Sequence, residues 1–221
     1  MFDLRKWNLF VRFGGRYTKR KVFVHLGGRG VRADARRNLD KILEAAAQVM
    51  AERGAGVPME LIARRAGVGV GTLYRRFPDR DALVAALGEH YVQSLATALE
   101  GAAAGRDGWE ALREFVLWAA APGRVALAAA LADLPQEALA DTEEFTRARV
   151  RWLGLLDALV RRAQAEGGMR ADVTCDDVVS LLTVFTCHPG DLPAPVAACP
   201  ARYLHLVLDG MAAGSATPLP G

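Results

Sequence analysis

Between Gly69 and Arg80 the chain reads GVGTLYRRFPDR, a stretch whose side chains can grip a phosphate. Thr72 and Tyr74 offer hydroxyls, and Arg75 and Arg76 offer guanidinium groups that bind phosphate oxygens through charge-assisted hydrogen bonds. Gly71 lets a partner's surface approach the backbone closely. The Thr72 methyl and the apolar Val70 suit contact with a thymine methyl. This is binding chemistry rather than turnover. The sequence holds no nucleophile elbow, phosphate loop, paired metal ligands or convergent acid–base group. No catalytic residue, metal ligand or cofactor is therefore expected.

Such a stretch works only if a frame presents it, and Pro58–Phe77 supplies the pattern of one. Two helices that cross steeply need a small residue at the contact, and Ala63 provides it. The turn between them needs positive φ, which Gly67 adopts without a steric penalty. Leu73, six residues later, anchors the second helix. This is helix-turn-helix spacing, in which the second helix usually enters the DNA major groove. An ordinary helical hairpin with Tyr74 in its core and a solvated basic face would carry the same residue types.

The flanking sequence is helical in period. Leu39, Ile42, Ala46, Val49 and Met50 share one face of a helix starting at Asp34 and stopped by Gly54. Pro58 suits the first position of the second helix, in which Leu61 and Ile62 point inward. A third helix spans about Gly69–Phe77. Asp79 caps a long fourth with a stripe of Val84, Leu87, Tyr91, Leu95 and Leu99. A fifth helix marked by Trp109, Leu112, Val116 and Ala119 is ended by Pro122-Gly123, and a short sixth covers Arg124–Ala132 up to a break at Pro135. Thr142 caps a seventh with Glu143 and Glu144 in its first turn. Gly167-Gly168 terminate that helix, and Thr174 caps an eighth. Pro189–Pro195 reads as a stiff connection. Pro200 starts a ninth helix with Leu204, Val207, Leu208 and Met211 on one face, and the tail from Gly214 reads as frayed.

Alanine and leucine dominate a composition that is 52% hydrophobic, with few β-branched runs, which favours an all-α fold. No apolar stretch reaches the roughly 18–20 uncharged residues of a membrane span, and no secretory signal is visible. Three cysteines, Cys175, Cys187 and Cys199, at no metal-like spacing suit reduced thiols in a cytoplasmic protein. Charge is uneven along the 221 residues: net +8 over 1–33, +3 over 34–80 and −8 over 81–221. That division suggests one nucleic-acid-facing part and one acidic part. Within 1–33, Leu9–Phe13 and Val22–Leu26 look strand-like, and Gly27-Gly28-Arg29-Gly30 separates them from the first helix. A basic arm, a transit-like leader, and a disordered or non-native extension with the natural start near Val31 all fit this segment.

Three strings together resemble the N-terminal domain of TetR-type (tetracycline-repressor-type) transcriptional regulators: ILEAAAQVMAERG at Ile42–Gly54, LIARRAGV at Leu61–Val68 and GTLYRRFPDRDAL at Gly71–Leu83. The resemblance implies a three-helix DNA-binding head over 34–93, joined by a long fourth helix to an all-helical ligand-binding and dimerisation body over 94–214, with a tail at 215–221. It implies a homodimer on a palindromic double-stranded operator and a repressor released by an unknown small molecule. It also implies DNA contacts from Gly69, Val70, Gly71, Thr72, Tyr74, Arg75, Arg76 and Arg80, the last where the family commonly has a phosphate-binding Lys or Arg. Gly69 and Val70 depart from the common pattern of a small hydroxyl residue followed by Lys. Backbone amides must then supply phosphate grip at the helix start. A DNA-binding scaffold without an inducer and a helical enzyme with a basic head are the other functions compatible with the chain.

The body has no sharp motif. RADVTCDDV at Arg170–Val178 and YLHLVLDGM at Tyr203–Met211 resemble the family's late body helices, which would pair with a second subunit. Trp109, Trp118, Phe145 and Trp152 are the candidate ligand-pocket residues, and each is equally suited to ordinary core packing.

Overall fold

The computed structural model describes residues 29–54, 56–104, 106–132 and 142–214, together with 217 and 219. The strand-like runs at Leu9–Phe13 and Val22–Leu26 and the break at Pro135 lie outside the described residues. Those residues form ten α-helices: α1 Arg29–Arg53, α2 Met59–Ala66, α3 Val70–Arg76, α4 Arg80–Ala103, α5 Gly108–Ala119, α6 Pro122–Ala132, α7 Glu143–Ala165, α8 Cys175–Thr186, α9 Ala194–Ala198 and α10 Pro200–Met211. The fold is all-α. Among the described residues, no single helix is long and apolar enough to cross a membrane.

Local signals explain most boundaries. Asp79 Oδ1 accepts from the Ala82 amide at 2.8 Å, and Thr142 Oγ1 accepts from Phe145 at 3.0 Å. Thr174 and Asp177 bond each other's backbone amides in a capping box at the start of α8. Four details differ from the pattern expected of the residues. Helix α1 is already helical at Arg29, because one glycine at position 30 costs a helix only about 1 kcal/mol. Pro58 is the N-cap of α2 rather than its first residue, with an extended ψ of 142°. Pro122 opens α6 rather than closing α5, since its missing N–H is no loss in a first turn. The connection at Pro189–Pro195 is partly helical, a 3-10 turn at Pro189–Asp191 followed by α9.

Burial divides the helices into two cores. In the head, Ile42, Val49, Ile62, Ala63, Leu73 and Leu87 are almost fully buried together. In the body, Leu99, Leu112, Phe115, Leu156, Leu204 and Leu208 are equally hidden. Helix α4 belongs to both: Leu83, Val84 and Leu87 enter the head core, while Leu95, Leu99 and Ala102 enter the body core. Tyr91, between them, touches each. Helix α6 also crosses over, and its Leu127, Ala130 and Leu131 are buried in the head. Val207 leaves the inward stripe expected of it in α10 and is 36% exposed.

Two residues of the tail, Thr217 and Leu219, bond to the body. Arg170 Nη2 donates to the Thr217 carbonyl at 2.6 Å, and the Leu219 amide donates to Asp172 Oδ2 at 3.0 Å. The Arg170 guanidinium, with the Leu219 amide, holds the Asp172 carboxyl well below its usual range.

Helices α5 and α7 approach closely at Gly108. A Cβ there would lie 2.6 Å from the Ala163 amide nitrogen and 2.8 Å from its Cα, both rigid backbone atoms. Glu166 accepts from the Gly108 amide and from Arg162 Nε, and Arg162 Nη1 reaches the Ala103 carbonyl at 3.2 Å. Gly108→Ala is expected to cost about 1–3 kcal/mol by overpacking, read as a lower urea midpoint at unchanged slope.

Candidate nucleic-acid interface

The turn that aims α3 is built by backbone geometry. Gly67 sits at φ 67°, ψ 29°, in the left-handed region. Its amide donates to Arg64 O at 3.2 Å, and the Val68 amide reaches Ala63 O at 3.0 Å, closing α2. Ala63 is fully buried, which lets the two helices cross closely. On the far side of the turn, Leu73 is fully buried and Phe77 is 5% exposed. These two residues pin a helix of only seven residues to the head.

The opposite face of α3 points outward. Val70 is 40% and Tyr74 41% exposed, and Gly69, Gly71, Arg75 and Arg76 are exposed with them. Thr72 is half-buried at the edge of this face. Gly69 is the N-cap and makes no side-chain cap, so no side chain competes for the first-turn amides. Seven of the eight predicted contact residues thus lie on one short helix and its N-cap.

Several of these polar groups already have protein partners. The Tyr74 hydroxyl donates to Glu60 Oε1 at 3.3 Å, and desolvation together with Glu60 raises its pKa. Arg75 Nη2 donates to Thr72 Oγ1 at 3.2 Å. Arg80, the eighth, is turned inward: Nη1 donates to the Val57 carbonyl, and its buried Nη2 has no hydrogen-bond partner among the described residues. Glu60, the partner of Tyr74, did not stand out in the sequence, because it lies 14 residues away on another helix.

The four aromatic body candidates do not form one cluster. Trp109 lies under the Arg113 guanidinium, 5.7 Å from ring centroid to Cζ, and against Gly168. Trp118, nine residues along the same helix, is roughly 13 Å away by helical rise. It stacks at 6.0 Å on Phe115 and lies 3.3 Å below the Cζ of Arg124. Trp152 is half-buried against the body core, with its indole nitrogen unpartnered among the described residues. Phe145 is half-buried in the first turn of α7. Arg124 went unnoticed in the sequence because nothing local marks an arginine that will sit on a tryptophan of the preceding helix. No group of three or more His, Cys, Asp or Glu side chains able to hold a metal occurs among the described residues.

The family model for bacterial regulatory proteins of the tetR family matches residues 42–87. A second model, the C-terminal domain of SbtR-like transcriptional regulators, matches residues 108–213. Among solved structures, a TetR transcription regulatory protein from Mycobacterium vanbaalenii is 33% identical, over 82% of this chain and 99% of its own, with a TM-score of 0.63. A TetR transcriptional regulator from Streptomyces coelicolor is also 33% identical, over 80% and 99%, with a TM-score of 0.64. Salmonella enterica GusR is 26% identical over 78% and 94%, with a TM-score of 0.55.

Two glycines of this region should respond oppositely to the same change. Gly67→Ala forces a side chain into the left-handed region and is expected to destabilise the head by about 1–2 kcal/mol. At Gly71 a Cβ would meet open space, and φ is not positive there, so Gly71→Ala should stabilise α3 by about 0.5–1 kcal/mol. Thermal melts of the two variants check both signs.

Proposed function

Because this chain belongs to the TetR family of bacterial regulatory proteins, and is a DNA-binding transcriptional regulator, we propose that it is a homodimeric repressor released from a palindromic operator by a small molecule. The observation that carries this reading is the two-faced α3, with Leu73 and Phe77 buried and Val70, Gly71, Tyr74, Arg75 and Arg76 turned outward. In this reading α3 enters the major groove. Gly69, Val70 and Gly71 bring the helix start against the DNA, Val70 meets a thymine methyl, and Thr72, Tyr74, Arg75, Arg76 and Arg80 grip phosphates. The head is 34–93 and the body 94–214, with Trp118 as the aromatic wall of the ligand site. The protein works where its DNA is, in the cytoplasm, and carries out no turnover.

Dimerisation is assigned to α8 and α10. Val184 is 50% and Leu206 57% exposed, with Val207 and the half-buried Leu181 beside them in sequence. Apolar side chains left in water on these helices favour burial against a second copy. Two heads would then meet successive major-groove faces about 34 Å apart or somewhat more.

Gel shifts with fragments of the chain's own upstream region should give salt-sensitive, competitor-resistant binding, and its absence would count against the regulator reading. Arg76→Ala should weaken binding across sequences alike and lower the salt slope by about 1. Leu206→Asp should convert a dimer to a monomer in sedimentation equilibrium; an unchanged mass would exclude this face as the interface.

A further inference from the structure

Where α4, α5 and α6 meet beside the end of α8, a guanidinium sits half-buried, and none of the described carboxylates lies against it. Arg124 lies 3.3 Å above the Trp118 ring. Its Nη1 and Nη2 reach Ser94 Oγ only at 3.5 and 3.4 Å, the outer limit of hydrogen bonding. Among the described residues, no Asp or Glu pairs with it. Other covered arginines are treated differently: Arg113 holds Asp209 at 2.8 Å, and Arg170 holds Asp172 at 2.5 Å. Burial lowers the Arg124 pKa, opposed by Tyr91. Tyr91 is raised first by burial and then by Cys187, with Arg124 pulling it down.

A half-buried guanidinium with only weak hydrogen bonds favours an anion, and its planar fork suits a carboxylate in two-point contact. One cation matches one negative charge. The surrounding walls, Trp118 with Phe115 behind it and Tyr91, are aromatic and apolar. We propose that this junction binds a small-molecule monocarboxylate with an apolar or aromatic body, its carboxylate on Arg124 and its body along Trp118 and Tyr91. This assignment rests on the ligand-responsive reading of the body given above. It also places the ligand at a sensitive point, because Leu127, Ala130 and Leu131 of the same helix are seated in the head core.

The test uses the full chain with phenylacetate and decanoate as probes, and phenylacetamide and decanamide as their neutral counterparts. At least one acid should raise the melting temperature and shift tryptophan emission while its amide does neither. Arg124→Gln should weaken the acid's affinity roughly tenfold or more, and Arg124→Lys should recover part of it. Ser94→Glu places a carboxylate beside Arg124, so it should fold stably and abolish the acid response even if Arg124→Gln fails to fold. Amides that act as well as acids, acids without effect, or an Arg124→Gln protein that responds like the wild type would each overturn the assignment. Gel shifts on the same preparations separate the two readings. DNA binding without an acid response removes only this site, and an Arg124-dependent acid response without DNA binding removes only the regulator reading.

Discussion

Leu127, Ala130 and Leu131 of α6 lie in the same buried cluster as Ile42, Ile62 and Leu73 of the head, and the arrangement of the whole molecule depends on that shared core. The head is completed by a helix that comes from the body side of the chain. Helix α4 makes the same crossing in the other direction, with Leu87 in one core and Leu95 in the other. Two helices therefore belong to both halves. Close-packed interiors do not deform smoothly. Helix α1 packs against both α6 and α2, so the buried face of α6 is joined to the helix-turn-helix through α1.

Helix α3 illustrates how little of its stability is its own. Seven residues, two of them Val70 and Gly71, fall far short of an independently stable helix. Burial of Leu73 and Phe77 supplies what propensity does not, and leaves the remaining side chains free of structural duty. Those side chains are still not idle. Tyr74 rests on Glu60, Arg75 on Thr72 and Arg80 on the Val57 carbonyl. In the proposed contact with DNA, phosphate binding would be an exchange of partners, with a net gain smaller than the gross strength of each new bond.

The body is joined by close approach and by polar clamps at its edge. Gly108 lets α5 touch the backbone of α7, and the Arg162–Glu166 pair ties the turn before α5 to the same place. At the opposite end of α5, Trp118 meets Arg124 instead of another aliphatic side chain. One end of the helix is thus locked by backbone contact, while the other meets the Arg124 guanidinium of α6.

Periodicity and caps made the helices legible from the residues alone. The stripe Ile42, Ala46, Val49 and the caps Asp79, Thr142 and Thr174 each act within a few residues of themselves. The helix-turn-helix was legible for the same reason: Ala63, Gly67 and Leu73 specify a small contact, a left-handed turn and an anchor within eleven residues. The all-α class and the outward face of α3 follow from such local rules. Only the tertiary structure decided that α6 closes the head, that Tyr74 rests on Glu60, that Arg80 turns to Val57, and that Arg124 covers Trp118. These are contacts between separate elements, set by which apolar faces can be buried together, and no spacing along the chain encodes which partner a side chain will meet.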